Sequence, residues 1–150
     1  MSESKATFRL AVFFGILAAW CIWWAHHPTN TVERIAWRDS FDAAHDEARH
    51  AGKPMLLYFT AAWCGPCQSL ETTTWADPDV AAELSKYVSV KLDVDLPTTK
   101  PLATKYSVDA AGIPYFVLLD KDDKPIRSTV GAMPPDEFLS WMRGEKVAGK

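Results

Sequence analysis

The stretch TAAWCGPCQSL, residues 60–70, places two cysteines on either side of a Gly-Pro pair. It directly follows PMLLYFT, residues 54–60, a continuous apolar run bounded by breakers, which is typical of a strand buried on both faces. Pro66 fits the first turn of a helix, because a residue there needs no N–H partner. The sequence therefore predicts a buried strand, a short turn and a helix that begins at Cys64.

A cysteine pair of this kind is compatible with half of a zinc site, a structural staple or a redox pair. A structural zinc site needs about four N or S ligands, and no second CxxC motif or suitably placed histidine pair is present. A copper site formed by both thiolates and Met133 is a weaker alternative. A staple is disfavoured because a disulfide scaffold would need more cysteines. A redox pair fits best, since a helix N-terminus favours the thiolate of Cys64, and Cys67 lies one turn further along. No metal or cofactor is expected.

Residues 10–25, LAVFFGILAAWCIWWA, form an apolar stretch without a charge. At ~1.5 Å per residue this stretch spans ~24 Å, and Arg9 can extend it by reaching the lipid headgroups with its long side chain. Trp20, Trp23 and Trp24 lie at its far end, where indole rings favour the membrane–water boundary. The stretch is predicted to be a transmembrane anchor.

The flanking charges predict the orientation of this anchor. Lys5 and Arg9 precede it and the next cation is Arg34, so the positive-inside bias places residues 1–9 in the cytoplasm. Residues 26–35 would be a short polar linker, and the folded part would lie in the periplasm, at the outer face of the inner (cytoplasmic) membrane. A cleaved signal peptide is the alternative, although tryptophans stand where a peptidase needs small residues. Both interpretations place the folded part in an oxidising compartment.

The composition limits the classes of partner. The formal net charge is −3, and the basic residues of the folded part are scattered among acidic ones. A nucleic-acid interface needs clustered Lys and Arg, so no nucleic-acid partner is expected. The hydrophobic fraction of 48% in 150 residues is typical of one globular domain.

Helical and strand patterns alternate from residue 36 onward. Helical crossovers should make the first strands parallel, and a tight turn at residues 121–124 should make the last two antiparallel. An α/β domain over residues 36–144 follows, with a mixed central sheet, helices on both faces and a tail at 145–150. The predicted elements are a helix between about 40 and 52, a strand at 54–60, helices at 64–73 and 78–84, a strand at 87–94, a helix at 100–106, strands at 114–120 and 125–129, and a helix from 134.

Three short motifs in this pattern carry a family resemblance. Trp63-Cys64-Gly65-Pro66-Cys67 matches the active site of thioredoxin residue for residue. Gly112-Ile113-Pro114 stands before a buried strand, where thioredoxin-like proteins carry a cis-proline loop, and Val130-Gly131-Ala132 precedes the last helix. Over residues 36–144 the chain resembles the thioredoxin-like family, above all the periplasmic C-terminal domain of DsbD and small membrane-anchored relatives. The resemblance implies a thioredoxin fold.

The resemblance also implies roles for the matching residues. Cys64 would be the nucleophile and Cys67 the resolving thiol, and the two would form a reversible disulfide. Pro114 would be a cis-proline, and the backbone of Ile113 would pair with an extended segment of the substrate, with Gly112 in the same groove. Gly65 and Pro66, between the cysteines, resemble the interior of reducing members of the family.

Three positions depart from the family pattern or leave their role open. Tyr58 stands where thioredoxins have a buried Asp, and it is too weak an acid to take that role at neutral pH. Glu71, one helical turn after Cys67, matches a glutamate of the DsbD domain and either tunes the thiol or is an ordinary surface residue. Tyr115 replaces the usual Thr after the cis-proline and either shapes partner choice or packs against the groove. Trp63 is expected to form part of the contact surface.

The expected function is that of a membrane-anchored thiol–disulfide oxidoreductase that reduces protein disulfides. Its partners would be protein disulfide or thiol clients, together with a membrane electron donor that keeps the dithiol reduced in an oxidising compartment. Two alternatives stay open. One is a disulfide oxidase or isomerase of the same fold. The other is a non-catalytic factor that holds thiol or metal clients, for instance in cytochrome c or copper-site maturation.

Overall fold

The structure, a computed structural model, describes residues 35–145. These residues contain one mixed five-stranded sheet with the strand order β1-β3-β2-β4-β5. β1, β3 and β2 run parallel to one another, whereas β4 is antiparallel to β2 and β5 is antiparallel to β4. The strands are β1 (Trp37–Arg38), β2 (Met55–Thr60), β3 (Val88–Asp93), β4 (Tyr115–Leu119) and β5 (Pro125–Val130).

Five helices connect these strands and a sixth follows β5, and several helix ends follow the capping residues of the sequence. The Ser40 hydroxyl accepts a hydrogen bond from the Ala43 N–H at the start of α1, and Gly52 ends that helix at a φ of +62°. Asp77 caps α3 by accepting from the N–H groups of Asp79 and Val80. The helices are α1 (Phe41–Ala51), α2 (Gly65–Thr72), α3 (Pro78–Leu84), α4 (Lys100–Lys105), α5 (Val108–Ala111) and α6 (Pro135–Arg143), with a short 3₁₀ helix at Thr74–Ala76.

The two faces of the sheet bury separate apolar clusters, so the expected mixed sheet with helices on both faces is confirmed. Every residue of the central strand β2 is buried, because helices cover both of its faces. On one face Leu56 and Tyr58 pack with residues of α2, α3 and α6. On the other face Leu57 and Phe59 pack with residues of α1, α4 and α5.

The prediction that the first strands all run parallel is wrong for β4. The connection from β3 to β4 contains only the 6-residue α4 and the 4-residue α5. At ~1.5 Å per residue α4 spans ~9 Å, about half the ~20 Å length of a six-residue strand, so it does not return the chain along the sheet. β4 therefore starts at the edge where β2 and β3 end, with Tyr115 beside Phe59 and Asp93 beside Thr60. We call this edge the catalytic edge.

Several predicted segments lie outside the described residues. The predicted cytoplasmic segment 1–9, the transmembrane anchor 10–25, nearly all of the linker 26–35 and most of the tail 145–150 are among them. Within residues 35–145, no helix combines the length and the hydropathy that crossing a membrane requires. The domain bounds 36–144 stay a prediction.

Candidate active site

The two cysteines lie at the catalytic edge, where β2 turns into α2. The Cys64 N–H donates to the Ala61 carbonyl at 3.2 Å and so closes the turn. The side-chain amide of Gln68 donates to the Ala62 carbonyl at 2.6 Å and ties the turn to the helix. Cys64 and Cys67 form a disulfide with a Cα–Cα distance of 5.2 Å, and both residues are buried. Their placement fits the predicted strand, turn and helix.

The start of α2 supplies a polar environment for the first sulfur atom. Cys64 is the N-cap residue, and its Sγ accepts from the Cys67 N–H at 3.2 Å. Pro66 lies in the first turn, and Gly65 and Pro66 are both exposed between the buried cysteines. In the reduced protein, this N–H donor and the helix dipole favour the thiolate of Cys64 over its thiol.

The loop before β4 reaches the catalytic edge next to this turn. The Ile113–Pro114 peptide bond is cis, as the resemblance implies, and Gly112 adopts a φ of +89° that favours glycine. The Pro114 carbonyl accepts from the Gly131 N–H at 2.9 Å, which joins this loop to the Val130-Gly131-Ala132 motif. Ile113 packs against the same buried cluster as the two cysteines, and Tyr115 is half-buried at the start of β4. The roles of these residues in client binding stay predictions.

Trp63 is the most exposed large apolar side chain of the described residues, with 66% of its surface accessible. Its indole Nε1 donates to the carboxylate of Asp95 at 2.9 Å, across the turn that follows β3. The Asp95 N–H in turn donates to the Asp93 carboxylate at 2.9 Å. The hydrogen bond ties the exposed ring next to Cys64 to the turn after β3, which suits the expected contact with a client.

Tyr58 lies fully buried directly behind the disulfide. Its hydroxyl donates to the Cys67 carbonyl at 3.5 Å, and its ring packs between Trp37, Trp75 and Phe116 with centroid separations of 5.2–5.6 Å. Burial raises the pKa of Tyr58 above its ordinary value. Tyr58 is therefore neutral at physiological pH and cannot accept the proton of Cys67.

A cavity of about 640 Å³ opens beside Cys67. Its walls come from β1, from the ends of β2 and β3, from the loop after β3 and from α2. Glu71 lies in this wall, and its half-exposed carboxylate forms an ion pair with Lys91, whose ammonium group is 6.0 Å from the centre of the Tyr58 ring. We call this space the Cys67 cavity. Whether Glu71 tunes the thiol of Cys67 stays a prediction.

Sequence reasoning missed Gln68, Lys91 and Asp95 as neighbours of the site. Asp95 follows the end of β3, and Lys91 pairs in register with Tyr58 of β2. Because the carboxyl ends of adjacent parallel strands meet at one edge, both positions could have been inferred once β2 and β3 were paired. Gln68 carried no comparable signal. Within the described part of the chain, no cluster of three or more His, Cys, Asp or Glu side chains is arranged to hold a metal ion.

Comparisons with known proteins agree with this geometry. The model of the thioredoxin-like family matches residues 36–121. A thioredoxin H-type of Oryza sativa subsp. indica is 38% identical over 101 residues, which are 66% of this chain and 75% of that protein. DsbD of Vibrio vulnificus (strain CMCP6), a thiol:disulfide interchange protein, is 31% identical over 98 residues, 64% of this chain but only 16% of its own length. The reduced C-terminal domain of Neisseria meningitidis DsbD superposes with a TM-score of 0.62 and 25% identity, covering 73% of this chain and 99% of that domain.

The fold, the cysteine pair and these relatives define a thiol–disulfide oxidoreductase. The chain belongs to the thioredoxin-like family, and its relatives include thioredoxins and the C-terminal domain of DsbD. The chain spans about a sixth of the length of the Vibrio DsbD, so the functions of that longer protein do not transfer with the fold.

Proposed function

We propose that this protein is a membrane-anchored reductase of protein disulfides that works on the outer face of the cytoplasmic membrane. The observation that carries the proposal is the disulfide at the N-terminus of α2, flanked by the exposed Trp63 and by the cis-proline loop. The start of α2 supplies an activated sulfur at Cys64. Trp63 and the cis-proline loop supply a surface on which a client segment can lie.

The proposed reaction conserves electrons and protons. The Cys64 thiolate attacks a client disulfide, so that one client sulfur leaves as a thiolate and the other joins Cys64 in a mixed disulfide. Cys67 then loses its proton and displaces the second client sulfur. The client gains two electrons and takes up the Cys67 proton and one proton from solvent, so it ends with two thiols, and the protein ends with the Cys64–Cys67 disulfide. A membrane-embedded thiol donor would return two electrons to close the cycle.

The proposal that the protein reduces its clients and the proposal that it is anchored in a membrane rest on different observations. Gly65 and Pro66 between the cysteines are shared with thioredoxins, and DsbD is by its name a protein of thiol:disulfide interchange. The anchor rests on the apolar sequence of residues 10–25 and on the cations that precede it. An anchored domain would stay within reach of a membrane donor, which a reductase needs in an oxidising compartment.

The reduction potential of the full chain tests the direction. The protein, kept in a mild detergent, would be equilibrated with dithiol and disulfide buffers, and the reduced fraction would be read by alkylation of its thiols. A potential below about −250 mV supports a reductase, whereas a value near ~−120 mV would identify an oxidant of the same fold.

Mixed-disulfide trapping tests catalysis itself. Cys67→Ser should accumulate covalent Cys64–client complexes that a reducing agent dissolves, because the second displacement cannot occur. The matched control Cys64→Ser should trap none. If a variant with both cysteines replaced by Ser keeps full function in cells, the protein acts as a non-catalytic client-binding factor instead.

A further inference from the structure

The Cys67 cavity lies on one side of the disulfide, and the cis-proline loop lies on the other. The strand order places β3 and β1 on one flank of β2 and β4 on the opposite flank. The cavity walls come from β1, β3 and α2, whereas Pro114 directly precedes β4. A client bound at Cys64 can therefore contact the protein on both sides of its reacting sulfur.

The cavity has a preformed apolar wall. Trp37 packs there by an edge contact with Trp75 and a tilted contact with Tyr58, at centroid distances of 5.2 and 5.6 Å. Cys67 and Ala61 add buried apolar surface, and Leu96, 49% exposed, lies at the rim. The Cys67 cavity has a volume of about 640 Å³, which lies within the ~300–1,000 Å³ range of ordinary ligand pockets. The space is thus suited to one or two large apolar side chains.

The charged side chains that line the Cys67 cavity carry a net negative charge. The two cations of the lining are engaged, because Arg38 binds the Glu47 carboxylate and Lys91 binds Glu71. Asp39 and Asp93 also line the cavity, and within residues 35–145 no cation lies within ion-pair distance of either carboxylate. An apolar cavity with uncompensated carboxylates favours an occupant that carries a positive charge.

We infer that the Cys67 cavity is a client-recognition site for a bulky apolar side chain that stands beside a lysine or arginine. The inference rests on the proposed function, since the occupant belongs to a protein that exchanges disulfides with Cys64. Cys67 forms part of the wall, and its Cα is 5.2 Å from that of Cys64. An extended chain advances ~3.3 Å per residue, so the apolar residue stands within a few positions of the reacting client cysteine.

The test uses the full chain with both cysteines reduced and a set of disulfide-linked peptide dimers. Each dimer accepts two electrons and two protons and gives two peptide thiols, while the protein forms the Cys64–Cys67 disulfide. The peptides are about seven residues long and differ at two adjacent positions near the cysteine, Leu or Ala followed by Lys or Glu. One series carries them before the cysteine and another carries them after it. The rate of protein oxidation is measured by acid quench and thiol alkylation.

We expect the Leu-Lys peptide to react at least about fivefold faster than the Ala-Glu peptide in one of the two series. The Leu-Glu and Ala-Lys peptides should react at intermediate rates. In the double variant Asp39→Asn, Asp93→Asn, the ratio of Lys to Glu rates should fall to about one. Asn at position 93 keeps a side-chain carbonyl that can accept from the Asp95 N–H. Leu96→Ala should shrink the ratio of Leu to Ala rates and leave the ratio of Lys to Glu rates intact.

Asp122→Asn is the matched control, because this exposed carboxylate lies in the β4–β5 turn at the opposite end of β4 from the catalytic edge. It should leave both ratios unchanged. Equal rates for all peptides in both series would overturn the inference and leave the proposed reductase intact. A Lys to Glu ratio that survives in the Asp39→Asn, Asp93→Asn variant, with its thermal unfolding unchanged, would also overturn it. Failure to reduce any peptide or insulin would instead refute the proposed function.

Discussion

Tyr58 gives the site an uncharged support behind its buried sulfur. A carboxylate at this position would have to be kept inside the aromatic cluster of Trp37, Trp75 and Phe116, where an unpaired charge is costly. The tyrosine instead fills the space and directs a neutral donor toward the Cys67 carbonyl at 3.5 Å. The carboxylates that line the Cys67 cavity together with Cys67 are those of Asp39, Glu71 and Asp93, and none of these residues is fully buried.

Tyr58→Phe should leave the pH dependence of disulfide exchange unchanged between about pH 6 and pH 9. Burial raises the pKa of Tyr58 above its unfolded value of about 10, so its hydroxyl keeps its proton throughout that range. Stopped-flow oxidation of the reduced protein by a peptide disulfide measures the profile. A new or lost inflection in the Tyr58→Phe profile would show that Tyr58 takes part in proton transfer.

The same raised pKa predicts a loss of stability in alkali. The folded state holds the Tyr58 proton more tightly than the unfolded state does, so its contribution is complete below about pH 10 and declines as the pH rises towards the folded pKa. The free energy of unfolding should therefore fall less steeply above about pH 10 in Tyr58→Phe than in the original protein. Urea unfolding at about pH 7 and about pH 10.5 checks this difference, and parallel declines would contradict it.

The hydrogen bond between Trp63 and Asp95 should matter for protein clients. Asp95→Ala releases the indole, and an exposed hydrogen bond to a carboxylate is worth ~0.5–1 kcal/mol, or about two- to fivefold in rate. We expect kcat/KM for insulin to fall by this factor, while the rate with a small disulfide such as cystine stays the same. Asp95→Asn keeps an acceptor oxygen and should retain most of the activity. An equal loss in the Ala and Asn variants would argue against the hydrogen bond.

The sequence predicted the chemistry at the residue scale better than it predicted the partners of each residue. The spacing of Cys64 and Cys67, with Pro66 between them, sufficed because helix capping is local. Trp63 and Asp95 are 32 positions apart in the sequence, and Lys91 and Glu71 are 20 positions apart. Such pairs follow from strand register, which single residues do not encode.

At the scale of elements, the central strand β2 connects the stability of the fold to the position of the site. Leu57 is fully buried in the cluster beneath α1, whereas Ile126 on the edge strand β5 is 49% exposed. The disulfide turn starts directly from β2, so a loosened strand would also misplace Cys64.

Leu57→Ala should lower the free energy of unfolding by ~2–4 kcal/mol, because it removes buried apolar surface and leaves a cavity in the middle of the sheet. The matched substitution Ile126→Ala should cost less than ~1 kcal/mol, since its side chain remains half in solvent. Chemical denaturation of both variants in the oxidised state measures the contrast. Similar losses for the two would show that the buried clusters do not dominate the stability.

The prediction of elements was most accurate where local signals were strong. Apolar runs bounded by breakers gave β2 and β4, and the alternation of Val88, Val90, Leu92 and Val94 gave β3, each to within a residue or two. The direction of β4 was wrong because it depends on how far two short helices carry the chain, a length that periodicity does not reveal. The two-residue strand β1 and the four-residue helix α5 were missed, since neither is long enough to show a period.

At the scale of the whole molecule, the proposed function requires that the catalytic edge and a membrane donor share one side of the membrane. The folded part supplies a client surface and an exchanging disulfide, and sequence alone assigns the anchor to residues 10–25. An anchored reductase with the opposite orientation would face a compartment that already keeps thiols reduced, where a dedicated membrane donor has no use. Orientation is therefore as decisive for the function as the reduction potential.

We predict that the full chain, produced in a Gram-negative host, stays in the membrane fraction after alkaline carbonate extraction, and that a chain lacking residues 1–30 is released. In intact spheroplasts treated with a mild reductant, a membrane-impermeant maleimide should label Cys64, because the domain faces outward under the positive-inside bias. The variant with Cys64→Ser and Cys67→Ser reports any background at Cys21, which is expected to lie within lipid. If labelling of Cys64 appears only after the membrane is permeabilised, the domain is cytoplasmic and the proposed site of action is wrong. If the full chain is extracted like the shortened one, residues 10–25 do not anchor it.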